Sequence, residues 1–197
     1  MQPILHTGGI ILDRKRILWT TQTAMFIALL VAGQYFTQPM SQFVTGSIVN
    51  FILVAACILV GVSSATAVGI VSPIFAYFIV GVPIFPVIIP FIMLGNFALV
   101  IAVHFITVKS YEDLGILDYI RIVAAIIAGS VFKFLVLWIG VVHIALPLLI
   151  TDALPPQVAA MSAAFSWPQL ITALIGSTLA MVAMPNLMRA LKFSQQG

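Results

Sequence analysis

The residues of this sequence that could do chemistry are a few polar side chains inside long apolar stretches. Lys133 lies within one such stretch, and Asn50 and Asn96 are the other strongly polar side chains within them. An ammonium group donates hydrogen bonds, and an asparagine amide both donates and accepts them. The three residues therefore predict a site for a polar solute. The plainer alternatives are a lysine that pairs with backbone carbonyls or reaches the surface, and asparagines that bridge helices.

The surroundings of Lys133 favour a position facing the interior of a helical bundle. A lysine near the bilayer centre costs about 2.5–3.5 kcal/mol on insertion scales, so it should face protein or a wet cavity. The helix from Arg121 to Lys133 is roughly 18 Å long, which places Lys133 in the outer half of the membrane. Small residues that leave room for a ligand are prominent among its neighbours at helical spacing: Gly129, Ser130, Leu137 and Gly140.

A second group of candidate ligand contacts opens the last apolar stretch. Ser166 and Gln169 match the S-x-x-Q pattern of an N-terminal capping box, with Pro168 in the first turn. Trp167 and Gln169 lie at the depth where a ligand would enter. Capping already explains Gln169, however, and Trp167 suits an interfacial anchor.

The elements that must position these residues are membrane-spanning helices. Hydrophobic residues make up 62% of the chain and charged residues only 7%, against about a quarter charged in soluble domains. A helix needs about 20 apolar residues to cross the hydrocarbon core. Stretches of that kind occur at roughly 17–36, 45–61, 65–81, 86–107, 119–150 and 166–188. The prediction is an all-α integral membrane bundle of six transmembrane helices, forming one domain over residues 1–197.

The basic residues predict the orientation of this bundle. Seven of the eight lysines and arginines lie on the side that holds both ends of a six-span chain: Arg14, Lys15, Arg16, Lys109, Arg121, Arg189 and Lys192. The positive-inside rule therefore places both termini in the cytoplasm.

The first span carries a stripe of small residues. Ala24, Ala28 and Ala32 recur every four residues and form one smooth face. Such a face lets another helix approach closely. The sequence leaves open whether that helix belongs to this bundle or to a partner.

Several classes of protein are disfavoured by what the sequence lacks. It has no G-x-S-x-G, Walker A or H-E-x-x-H motif and no paired intramembrane aspartates, so we do not expect an enzyme. No cluster has metal-ligand spacing, and Cys57 is the single cysteine. The net charge of +3 is small and its basic residues flank apolar runs, which indicates topology rather than nucleic-acid binding.

Several short runs resemble the substrate-binding S component of energy-coupling factor (ECF) vitamin transporters, over nearly the whole chain. They are T-G-S-I-V-N at 45–50, S-P at 72–73, P-F-I-M-L-G-N at 90–96, G-S-V-F-K-F at 129–134 and S-W-P-Q-L-I-T-A-L-I-G at 166–176. The resemblance implies a six-helix protein of a prokaryotic plasma membrane that captures a vitamin or its precursor. It implies as partners a transmembrane T component and two cytoplasmic ATPases, which use the ATP. It also implies that Ala24, Ala28 and Ala32 dock on the T component.

The buried cation narrows the choice of ligand among those known for this family. A lysine suits a carboxylate, so pantothenate fits better than neutral pyridoxine or hydroxymethylpyrimidine, while folate or another acid remains open. We expect Lys133, Asn50, Asn96, Trp167 and Gln169 to contact the ligand. The rival interpretations are a self-sufficient small carrier or channel and a non-transport membrane scaffold.

Overall fold

Six apolar helical spans make up the bundle, as the sequence predicts. The structure, a computed structural model, describes residues 7–108, 111 and 114–196, with the side chains of residues 14–108, 111 and 114–188. Every regular element in this part of the chain is helical. The spans long and apolar enough to cross a membrane are Arg14–Thr37, Gln42–Leu59, Val62–Val80, Pro86–Ile106, Ile116–Leu149 and Pro155–Met188. The described chain is therefore an all-α membrane bundle.

Seven α-helices build these spans. They are α1 (Thr7–Thr37), α2 (Gln42–Leu59), α3 (Val62–Phe75), α4 (Ile89–Ile106), α5 (Ile116–Leu137), α6 (Pro155–Ala164) and α7 (Trp167–Gln196). A 3-10 turn, Pro86–Ile88, precedes α4. Two π-helical segments prolong α3 over Ala76–Val80 and α5 over Trp138–Leu149.

Two of these features differ from the uniform spans expected from hydropathy. The fifth span changes from α-helical to π-helical geometry after Leu137, in a segment that contains Pro147. Proline has no N–H for the regular helical hydrogen bond, so the ladder cannot continue unchanged there. The short helix α6 stands between the fifth and last long helices, in a stretch that we predicted to be a connection.

The arrangement of the helices leaves α1 at the edge of the bundle. The helix α2 is central and packs against α1, α3, α4 and α7, while α5 packs against α4 and α7. The helix α1 packs against α2, α3 and the π-helical continuation of α3. The connections 38–41 and 81–85 lie with α6 at one end of the bundle, which we call the α6 end. The residues at 60–61, 107–108, 111 and 114–115 lie at the opposite end.

Two apolar clusters fill the interior at different levels. The larger one lies towards the opposite end and includes Leu53, Val68, Leu99 and Met184. The smaller one lies at the α6 end, where the π-helical part of the fifth span meets α6 and the start of α4. The buried polar residues treated below lie between the two clusters.

The connection that follows α4 is anchored to α7 through Tyr111. Its hydroxyl lies 2.9 Å from Thr107 Oγ1 and donates to Met181 Sδ at 3.1 Å. Burial raises the pKa of Tyr111, so the hydroxyl keeps its proton at neutral pH. Of the basic residues used to predict orientation, Lys109 lies outside the described residues, and the side chains of Arg189 and Lys192 lie outside the described side chains.

A close contact between α7 and α2 depends on Gly176 of α7. A Cβ at this position would lie 2.7 Å from Asn50 Cβ and 2.8 Å from the backbone nitrogen of Phe51, and it would also meet the carbonyl oxygen of Ser47. These distances are too short for carbon atoms. The backbone of α7 can therefore rest directly on α2 only because residue 176 has no side chain.

We expect Gly176→Ala to destabilise the bundle by about 1–3 kcal/mol, because the added methyl group forces α7 away from α2. Thermal unfolding of the purified protein in detergent measures the effect. Gly115→Ala is the matched control, since its Cβ would meet only Asp118 Oδ2 at an ordinary 3.6 Å. Equal unfolding temperatures for the two variants would contradict the proposed close contact.

Candidate functional site

A buried cluster of three polar side chains forms the centre of the candidate site. Lys133 Nζ donates to Asn50 Oδ1 at 2.6 Å and to Asn96 Oδ1 at 2.7 Å. Lys133 is 4% exposed and each asparagine is 1% exposed. The structure thus brings together, from α5, α2 and α4, three residues that the sequence suggested only by their depth.

The Lys133 side chain binds two amide oxygens and neither of the carboxylates described by the structure. Of the carboxylates whose side chains are described, Asp118 accepts from the Gly115 backbone and Asp152 from Thr151. Neither contacts Lys133. The short distances from Nζ to the two amide oxygens are typical of charge-assisted hydrogen bonds. Amide dipoles stabilise the ammonium group but do not neutralise it, so the site retains its attraction for an anion.

The orientation of Asn96 follows from the sequence of α3. Asn96 Nδ2 donates to the backbone oxygen of Gly69 at 3.0 Å. Pro73 lies four residues after Gly69 within α3 and has no N–H to donate to that oxygen. Gly69 also permits the approach, since a Cβ there would lie 3.1 Å from Asn96 Cβ. This pair was not predicted from the sequence, although a glycine four residues before a proline signals an available carbonyl.

A cavity of about 370 Å³ lies above this cluster, towards the α6 end. Lys133, Asn50 and Asn96 lie at its deep end. Gln38 and Gln42 also line it and are exposed, so the cavity reaches the surface near the start of α2. Its remaining polar lining consists of Gln34, Thr45, Ser72 and Gln169.

The helix α6 covers part of this cavity and is held by two glutamines. Met161, Ala164 and Phe165 line the cavity. Gln42 Nε2 donates to the backbone oxygen of Ala164 at 2.6 Å, and Gln169 Nε2 donates to the same oxygen at 3.1 Å. The end of α6 is thus fixed to both α2 and α7.

The predicted capping box at the start of α7 is wrong. Ser166 Oγ donates to the backbone oxygen of Ser162 at 2.5 Å, and the Gln169 side chain binds Ala164. The reason is that α6 ends directly before α7, and the last carbonyls of a helix lack intrahelical donors. Those carbonyls take the hydrogen bonds that the box would have used. Gln169 lines the cavity, and its contact with a ligand stays a prediction.

Trp167 does not lie in the cavity, so the prediction that it contacts a ligand there is not supported by its position. Its side chain is 67% exposed. The ring stacks on Phe134 with centroids 5.7 Å apart. Because Trp167 begins α7 at the rim of the bundle, its indole is turned away from the interior.

The alanine stripe of α1 lies on the outside of the bundle, so within the described chain it does not receive another helix. Ala24, Ala28 and Ala32 are exposed. They form a shallow apolar groove together with Ile27, Val31, Tyr35, Phe75 and Ile79. The groove lies along α1 and α3 and can receive an apolar surface from outside.

Comparison with protein-family models, with curated proteins and with solved structures finds no match to this chain.

Proposed function

We propose that this chain is the substrate-binding membrane subunit of an ATP-driven importer of the ECF type. Its substrate is a water-soluble vitamin or precursor that carries a carboxylate, and pantothenate is our leading candidate. The observation that carries the proposal is the cation at the deep end of the cavity, which is bound by two amide oxygens and by neither described carboxylate. An anionic ligand would complete the pairing that the protein itself leaves open.

The cost of burying Lys133 distinguishes this proposal from a scaffold. Asparagine bridges between helices would stabilise a scaffold without any charge. A buried ammonium group is expensive in an apolar bundle, and it is usually associated with a substrate or ion pathway. A cavity beside it that reaches the surface supports a ligand-binding role.

The size and chemistry of the cavity support a compact acid. Its volume of about 370 Å³ falls at the lower end of the range for small-molecule pockets, about 300–1,000 Å³. Glutamine, threonine and serine side chains along its wall suit a ligand with amide and hydroxyl groups. Pantothenate combines these features with one carboxylate and is smaller than folate.

A separate energising partner is more consistent with the chain than independent ion-coupled transport. The described side chains place one carboxylate within the six spans, Asp118, at the start of α5. Proton relays through membranes use acidic or histidine chains. The exposed groove on α1 is a candidate surface for the transmembrane partner, and two ATPases would then supply the energy.

The proposed orientation places the cavity mouth outside a prokaryotic plasma membrane. Arg14, Lys15, Arg16 and Arg121 lie towards the end of the bundle opposite α6. Asp152 lies in the α6 end. By the positive-inside rule the two termini are cytoplasmic and the cavity opens to the exterior.

We expect Lys133→Ala to weaken pantothenate binding by about 10- to 100-fold, because hydrogen bonds to charged groups contribute about 1.5–3 kcal/mol. Calorimetric titration of the detergent-purified protein measures the change. Trp167→Ala should bind like the wild type, since its ring lies outside the cavity. Unchanged affinity in Lys133→Ala, at an unchanged unfolding temperature, would refute the charge pairing. A scaffold would show no thermal stabilisation by any vitamin.

We expect Gln38→Cys to react with a membrane-impermeant maleimide in intact cells, and Gly115→Cys to react only after permeabilisation. Both positions are exposed, at opposite ends of the bundle, and the native Cys57 is buried and gives little background. Labelling is read by mass shift on a gel. The reverse pattern would place the termini outside the cell.

We expect Ala28→Trp to retain pantothenate binding but lose energised uptake, because the indole fills the groove on α1. Uptake of labelled pantothenate is measured in the native host with the chromosomal copy replaced. Leu29→Trp is the matched control, since Leu29 is 51% exposed on the same helix but does not line the groove. Normal uptake by Ala28→Trp would argue against docking at this surface.

A further inference from the structure

The charges around the cavity set a limit on what it can bind. Among the described residues that line it, Lys133 is the one charged side chain, and the others are amides, hydroxyls and apolar groups. One negative charge on a ligand therefore balances the site. A second charge at the deep end would lie in an apolar environment without a partner, which is strongly unfavourable.

The two asparagines that bind Lys133 differ in the hydrogen-bonding groups that remain available to a ligand. Asn96 uses both ends of its amide, because Oδ1 accepts from Lys133 and Nδ2 donates to the Gly69 oxygen. Asn50 uses Oδ1 in the same way, but its Nδ2 donates to none of the described residues. Asn50 therefore lines the cavity with a free donor beside the ammonium group.

An ammonium has three donors, so Lys133 also keeps one after binding the two amide oxygens. The remaining donor and Asn50 Nδ2 belong to two hydrogen-bonded side chains that both line the cavity. A carboxylate has two acceptor oxygens that suit two neighbouring donors. A neutral amide or alcohol presents one such oxygen and no charge.

We infer that the floor of the cavity binds a single carboxylate group through Lys133 Nζ and Asn50 Nδ2, and that Asn96 is a positioning residue that makes no hydrogen bond to the ligand. Asn96 is oriented by the Gly69 carbonyl, which Pro73 leaves available. This inference rests on the proposed substrate-binding function and adds the class of ligand: an acid with one negative charge at its buried end. It also gives different roles to two residues that the sequence presents as equivalent.

The first experiment compares three ligands of the same pantoyl type on the wild-type protein by calorimetric titration. They are pantothenate with one carboxylate, its alcohol with none, and pantoyl-aspartate with two. We expect pantothenate to bind about 10- to 100-fold more tightly than either of the others. Equal binding of pantoyl-aspartate and pantothenate would overturn the single-charge site. Binding of none of the three would reject the proposed substrate itself, a different failure from the loss of charge selectivity.

The second experiment separates contact from positioning with matched substitutions. Asn50→Asp and Asn96→Asp each place a carboxylate beside Lys133, so each weakens pantothenate binding through the same charge. Asn50→Asp also replaces the free donor with an acceptor. We therefore expect it to lose at least about 10-fold more affinity than Asn96→Asp. Equal losses would show that the asparagines act alike and overturn the division of roles.

The third experiment tests whether Pro73 acts through Asn96. Pro73→Ala restores an N–H that competes for the Gly69 oxygen, and we expect a severalfold loss of pantothenate affinity. In an Asn96→Leu background Pro73→Ala should have no further effect on affinity, because the Asn96 amide that it would displace from the Gly69 oxygen is absent. Independent, multiplying losses would overturn the positioning role. Thermal unfolding of each variant without ligand verifies that the compared proteins are folded.

Discussion

The burial of the Lys133 ammonium group is the constraint on which the arrangement of the rest of the bundle depends. An unpaired charge in an apolar interior is unfavourable by several kcal/mol even after local relaxation. Two amide oxygens reduce that cost, but only if both amides are held with their oxygens towards Nζ. Asn96 is held by the Gly69 carbonyl at 3.0 Å. Asn50 is held in place by the close contact between α2 and Gly176 of α7.

One cluster therefore joins most of the helices. Asn50 comes from α2, Gly69 from α3, Asn96 from α4 and Lys133 from α5, and α7 packs on the back of Asn50. In a membrane the hydrophobic effect does not drive helices together, so interhelical hydrogen bonds and close packing of small residues carry more of the association. The residues that make a charged site possible are thus also the residues that fix how these helices cross.

The cluster also separates the half of the bundle that holds the larger apolar cluster from the half that holds the cavity and the smaller apolar cluster. Towards the end opposite α6, the interior is filled by the larger apolar cluster, which includes Leu53 and Met184. Above it lie the cavity, the two π-helical segments and the short helix α6. Irregular backbone is tolerated at membrane depth where it lines a cavity or is buried in protein. The prolines of this half therefore accompany the cavity rather than disturb an otherwise regular bundle.

The sequence was sufficient for features that depend on one helix at a time. Hydropathy gives the six spans, and the helical rise places Lys133, Asn50 and Asn96 at a common level because each depth is counted along its own helix. Features that depend on which group of a neighbouring helix lies opposite a residue could not be found from one helix at a time. Ser166 and Gln169 match a capping pattern, yet the carbonyls at the end of α6 are nearer. Likewise, Pro73 signals that the Gly69 carbonyl of α3 is available, but α3 alone does not indicate that Asn96 of α4 lies opposite it.

The helix α1 stands apart from this network, and that separation bears on the function that we propose. It contributes Gln34 to the wall of the cavity, but none of the atoms that hold Lys133. Its other face carries the exposed alanines of the groove. A partner that docks on this face, as we propose, would contact a helix that borders the cavity but contributes nothing to the Lys133 cluster. Movement of α1 could then alter the cavity wall while the Lys133 cluster stays intact, so docking and ligand binding need not compete for the same interactions.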